Sequence, residues 1–135
     1  MTSNNAVHCV CSVIENIFEQ QQAVCKKCLT SCYRNLLRPT VYLGDTIPFL
    51  LYTEKGELFK ASGYVGKDCF STPFFRIENF DECCATLRLL LPLQHDGHLA
   101  EDVCDVHELV KTRICINVDL TCFCAIQCLS PKLVN

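Results

Sequence analysis

From Val10 the apolar positions fall at Val10, Val13, Ile14, Ile17, Phe18 and Val24, the three-and-four spacing that lines one face of a helix. This spacing predicts a helix over about 12–24. Ser12 and Glu15 form a capping box at its start, the hydroxyl and the carboxylate satisfying amides that the first turn leaves open. The run Glu19-Gln20-Gln21-Gln22 reads as its solvated face. A cysteine-rich stretch then leads to Arg38-Pro39, where the residue before proline is pushed out of helical geometry. From Ile47 the period shortens: 47–53, a turn at Glu54-Lys55-Gly56, and 57–61 read as a hairpin. Further short strands are expected at 74–78, 84–91, 105–110 and 113–118, with turn signals at Gly63, 66–68, Pro73 and 95–98 between them. Short strands at even spacing predict a mainly β chain, a small antiparallel β-sandwich with one N-terminal α-helix. The 135 residues suit a single domain, with a helical, cysteine-rich N-terminal arm over 1–40 and a β core with a cysteine-rich C-terminal segment over 41–135.

Composition sharpens this picture. Half the residues are hydrophobic and 20% are charged, so the chain has the apolar content to fold rather than remain disordered. Twelve Lys and Arg against 15 Asp and Glu give a net charge of −3, which leaves no basic surplus to neutralise phosphates and argues against nucleic-acid binding. The longest apolar run, Leu89-Leu90-Leu91-Pro92-Leu93, falls well short of the ~20 residues needed to cross a bilayer, so no membrane insertion is expected. The first nine residues have neither a basic start nor an apolar stretch and do not read as a signal peptide.

Cysteine is the outlier: 13 in 135 residues, the density of disulfide scaffolds and metal–thiolate proteins. An odd number cannot pair fully within one chain, so at least one thiol is free, metal-bound or joined to another chain. Cys25, Cys28 and Cys32 could hold a zinc with His8, Cys9 or Cys11 as the fourth ligand. The Cys25/Cys28 pair could instead be a redox dithiol flanked by Lys26 and Lys27, although such enzymes carry the pair after a strand, and here a helix precedes it. His95 and His98 bracket Asp96-Gly97, an ordinary turn sequence, with only His107 to join them. No nucleophile elbow, phosphate loop or dinucleotide fingerprint occurs. No catalytic residue and no cofactor is therefore assigned.

The run from Cys115 through Cys122, Cys124 and Cys128 is the most unusual segment. If it is extended throughout, Cys122 and Cys124 share one face and Phe123 anchors the other. Adjacent thiols on a strand face reach partners opposite more easily than each other; the alternative is that these are small buried hydrophobes. Cys83-Cys84 and Cys9-x-Cys11 have the same character, each thiol being placed to find a separate partner.

These residues carry a resemblance. CINVDLTCFCAIQCLSP, with IPFLLYT, FFRIE and CATLRLLLP upstream, resembles the spore coat Y and Z and exosporium Y family of endospore-forming bacteria over nearly the whole chain. The tail 129–135 leans toward the Z branch, and the N-terminal helix with its C-x-x-C region matches only loosely. The resemblance implies a structural, non-catalytic protein made in the mother-cell cytoplasm and self-assembling, as a cyclic homo-oligomer packed with other coat or exosporium proteins, into a disulfide-cross-linked two-dimensional layer. Which thiols cross between subunits is not part of that resemblance. Chain ends reach neighbours most readily, so Cys9, Cys11, Cys122, Cys124 and Cys128 are the intermolecular candidates. Cys25, Cys28, Cys32, Cys69, Cys83, Cys84, Cys104 and Cys115 are further thiol or disulfide candidates. A zinc-binding interaction module built on the N-terminal or the C-terminal cysteine cluster is the alternative.

Overall fold

The computed structural model describes residues 8–26 and 44–134. Helix α1 spans Cys9–Lys26 and buries Val10, Ile14 and Ile17, the stripe read from the sequence. It begins three residues earlier than expected, so Ser12 lies inside the helix rather than at its N-cap. The first turn is closed instead by His8, whose carbonyl accepts from the Ser12 N–H at 3.0 Å and whose Nδ1 accepts from the Cys11 N–H at 3.4 Å.

Seven strands follow: β1 (Phe49–Thr53), β2 (Ala61–Val65), β3 (Asp68–Thr72), β4 (Phe75–Asp81), β5 (Cys84–Leu93), β6 (Glu108–Asp119) and β7 (Phe123–Cys128). Five form an antiparallel sheet in the order β6-β5-β4-β1-β7, while β2 and β3 form a separate hairpin. The chain is mainly β and antiparallel with one helix among the described residues, as its pattern indicates. One layer is the sheet. The layer against it is shared between α1 and the β2–β3 hairpin, which join the same apolar cluster as Phe49, Leu51, Phe75, Ile77, Leu87 and Leu89.

The hairpin explains two departures from expectation. Residues 57–60 do not pair as a strand. They meet β1 through a bridge between Tyr52 and Leu58, in which the Phe59 N–H donates to the Leu51 carbonyl at 2.9 Å and the Thr53 N–H to the Glu57 carbonyl at 2.8 Å. Gly63 is not a turn but the middle of β2, where an added Cβ would come within 2.8 Å of Ile114 Cδ1. The missing side chain is what lets the hairpin lie close on β5 and β6. Likewise 105–110 and 113–118 are not two strands. Val103–Asp105 is a short 3-10 turn, and 108–119 run as the single strand β6.

Because strand side chains alternate, Leu50 points away from Phe49 and Leu51. It forms a second cluster with Phe74, Leu90 and Leu109, covered by Val103, Val106, Leu133 and Val134. The register between β5 and β6 shifts between Arg88 and Leu90. Two buried threonines serve the backbone there: Thr72 donates to the Leu90 carbonyl and Thr112 to the Leu89 carbonyl, each at 2.7 Å.

Candidate cross-linking surface

Among the described residues the cysteines divide into one closed pair and a surface set. Cys11, on the buried face of α1, is bonded to Cys83 in the β4–β5 turn, with Cα atoms 5.2 Å apart. The two-residue turn puts Glu82 at φ 49° and Cys83 at φ 69°, the doubly left-handed form whose twist suits a hairpin. Cys11 was expected among the intermolecular thiols. The structure instead spends it inside the chain, because helical spacing from Val10 and Ile14 turns it inward.

Among the described residues the free cysteines are Cys9, Cys69, Cys84, Cys104, Cys115, Cys122, Cys124 and Cys128, and all are exposed. Free cysteine is among the most buried residue types, so the reading of the C-terminal set as small buried hydrophobes does not hold for Cys115, Cys122, Cys124 and Cys128. Nor is that segment extended throughout. Asp119 accepts from the Thr121 N–H at 2.9 Å and starts a 3-10 turn over Leu120–Cys122, so Cys122 sits in the turn and Cys124 in the strand.

Their placement follows from the topology. Cys9 lies two residues before the disulfide, Cys84 directly after it, and Cys122 two residues beyond Leu120, whose N–H binds the Cys83 carbonyl at 2.8 Å. These three gather at one end of the sheet. Cys104 lies in the β5–β6 connection at the other end, and Cys69 lies in the β2–β3 hairpin opposite Tyr64. Cys115 is on edge strand β6 opposite Arg88. Cys124 and Cys128 are on edge strand β7, the first donating its S–H to the Thr53 carbonyl at 3.0 Å. Partial burial pushes the Cys128 thiol above its ordinary ionisation range.

The sheet between the two edges is held by charge. Arg76 and Arg88 stand directly opposite each other. Glu78 accepts from both, at 2.6 Å from Arg76 Nη1 and 2.7 Å from Arg88 Nε. Burial pushes the Glu78 carboxyl up, but the two guanidiniums outweigh it and hold it below its ordinary value. The same balance of burial against Lys111, Thr46 and Arg76 lowers Asp45.

Two further expectations meet the structure here. His95 and His98 lie in a turn with Gly97 at φ 88°, and Asp96 accepts from the His98 N–H at 3.0 Å. His107 packs edge-on against His95 with ring centroids 4.4 Å apart, a contact that spacing does not reveal. For the zinc alternative, Cys25 lies in the last turn of α1, and Cys28 and Cys32 fall outside the described residues. Among the described residues no group of three His, Cys, Asp or Glu is placed to hold a metal ion. No described helix is long and apolar enough to cross a membrane.

The family model for spore coat protein Z matches residues 1–131. The chain belongs to the spore coat protein Z family. It is 43% identical to spore coat protein Z of Bacillus subtilis (strain 168) over 142 residues, covering 98% of this chain and 96% of that protein. No solved structure matches the chain. In this spore coat protein Z family member, the described residues thus carry an array of surface thiols on a sheet held by an internal disulfide, two apolar clusters and a charged row.

Proposed function

We propose that this chain is a self-assembling structural subunit of the spore surface, in the coat or exosporium, that packs as a cyclic homo-oligomer with further copies and other coat proteins. Disulfides between subunits then lock the layer. Membership of the spore coat protein Z family supports a structural role in the coat. The observation that carries the cross-linking is the distribution of exposed free cysteines over both ends of the sheet, both edge strands and the hairpin. A two-dimensional network needs links in more than one direction, and a single thiol patch would give only dimers. On this reading no residue is catalytic. The chain is made in the reducing cytoplasm of the mother cell, and its surface thiols oxidise later.

Non-covalent packing sets the register before any disulfide forms, because a bond between two chains needs its Cα atoms already within about 7 Å. The test is negative-stain electron microscopy of purified protein with and without reductant. Ordered sheets in both conditions, tougher to heat and detergent without reductant, are expected. Discrete monomers or dimers in both would overturn the proposal, and complete dispersal by mild reductant would overturn the order of packing before bonding.

A further inference from the structure

Three of the four histidines lie in the β5–β6 connection and take no part in the cross-linking surface. His95 and His98 follow β5 in a tight turn, His107 immediately precedes β6, and all three are exposed. The backbone that carries them is fixed. The Gly97 N–H donates to the Gln94 carbonyl at 3.0 Å, the Gln94 N–H to the His98 carbonyl at 2.7 Å, and the His107 N–H to the Leu93 carbonyl at 2.8 Å. Leu93 and Glu108 form the terminal pair of the β5–β6 ladder, so the chain that leaves β5 and the chain that enters β6 stay side by side there.

The three imidazoles are used differently. His98 is held aside by Asp96, whose Oδ2 lies 3.1 Å from His98 Nδ1 and whose Oδ1 accepts from the His98 N–H at 3.0 Å. His95 and His107 face each other, with ring centroids 4.4 Å apart and planes at 88°. The spacing His95-x-x-His98 therefore names the wrong pair: the turn gives His98 to Asp96, and the end of the ladder gives His107 to His95.

Imidazole is the commonest protein metal ligand and suits zinc, copper and nickel. A zinc ion ~2.0 Å from an imidazole nitrogen lies ~3 Å from the ring centre, so two rings in adjacent positions on one ion stand ~4.5–5 Å apart. The metal-free pair already has nearly that separation, and since each ring can turn about its metal–nitrogen bond, perpendicular planes fit as well as any. Both backbones are anchored before an ion arrives, so binding orders little that is not ordered already.

From this pair we infer that His95 and His107 form a surface two-histidine chelate for a divalent transition-metal ion of the zinc, nickel or copper class. Among the described residues no third His, Cys, Asp or Glu is placed with them, so the remaining positions of the ion open to solvent. A closed set of four protein ligands marks a structural zinc, whereas an open site leaves the ion exchangeable. The chelate needs no thiol, shares no residue with the zinc alternative built on Cys25, Cys28 and Cys32, and does not depend on the cross-linked-layer reading.

The exposed thiols would bind the same metals, so the test caps them first. Full-length protein is treated with iodoacetamide without reductant, which leaves the Cys11–Cys83 bond in place, and is then titrated with zinc chloride by isothermal calorimetry. In parallel, copper(II) is added while the histidine ring resonances are followed by NMR. One zinc per chain is expected, with copper broadening the rings of His95 and His107 before those of His8 and His98. His95→Ala and His107→Ala are each expected to weaken zinc binding at least ~10-fold, the loss that even a partner behind a metal ligand can cause. His107→Phe, which keeps a ring against His95 but has no nitrogen, should lose binding equally, and His98→Ala should bind as the parent does. Thermal melts of all four variants, expected to match the parent, verify the fold. Binding that survives His107→Phe, or that falls with His98→Ala as far as with His95→Ala, would overturn the assignment. Absence of zinc binding by the capped parent would reduce the pair to an aromatic contact and overturn it too.

Discussion

The amide of Gln21 uses both of its ends inside the fold. Its Nε2 donates to the Ile77 carbonyl at 2.9 Å and its Oε1 accepts from the Ile47 N–H at 3.1 Å, at 4% exposure. One side chain thus ties α1 to β4 and to the approach of β1. Sequence pattern placed it on a solvated face, because three glutamines in a row hide which one turns inward, and only the packed sheet supplies the two backbone groups it satisfies. Gln21→Ala leaves the half-buried Ile47 N–H without this acceptor and the Ile77 carbonyl with only its bond from Arg76 Nη1 at 3.2 Å, so a loss of about 1–2 kcal/mol is expected in urea unfolding. Glu78 makes a second argument at this scale. Its folded carboxyl titrates below its ordinary value of 4.5, and Asp45 below 3.8. Their stabilisation is therefore fully present above those values and is lost as pH falls through the lowered ones. Melting temperature should fall as pH drops below about 4.5. Glu78→Gln should melt lower at neutral pH and decline less steeply in acid, since its amide has no proton to take up. An acid limb unchanged by the substitution would assign the pH dependence elsewhere.

The disulfide acts on whole elements. Cys11 and Cys83 are separated by 72 residues in sequence, so the bond closes a long loop and fastens the start of α1 to the β4–β5 turn. Loops of this size are stabilised by about 2–4 kcal/mol on closure. Cys83→Ser, or reductant, is therefore expected to lower the midpoint of thermal unfolding while leaving the β-sheet circular dichroism in place at room temperature. Mass spectrometry after iodoacetamide should show Cys11 and Cys83 unmodified until reductant is added, whereas the exposed thiols react at once. Much of the element order was legible: α1, β1, β4 and β5 follow from hydrophobic spacing, because each presents a regular apolar face to one core. What spacing could not reveal was decided by contacts distant in sequence. Gly63 marks close packing on Ile114 rather than a turn. Thr112 interrupts the apolar alternation of β6 because its hydroxyl is needed at the β5 register shift, and it donates there instead of ending a strand. The Cys11–Cys83 pairing is of the same kind, since many pairings among 13 cysteines satisfy the sequence equally and only the fold brings two sulfurs together.

At the scale of the whole molecule, the density of cysteine marked a thiol surface, while its geometry needed the sheet. Helix phase turned Cys11 inward, while Cys124 and Cys128 lie exposed on the uncharged edge strand β7. The molecule therefore separates two uses of one residue type. An internal bond holds the fold, and on the proposed reading the exposed thiols are left for a neighbour. If these uses are independent, replacing the exposed cysteines by serine while keeping Cys11 and Cys83 should leave the subunit fold intact, since surface substitutions away from packed features usually change stability by within about 0.5 kcal/mol each. On the proposed reading the protein should still form sheets with the parent lattice spacing in electron micrographs, because packing rather than sulfur chemistry would fix the register. Those sheets should dissolve in hot detergent without reductant, where the parent's resist. A folded variant that forms no lattice would show that the disulfides themselves specify the geometry, and sheets as tough as the parent's would remove the surface thiols from the mechanical role.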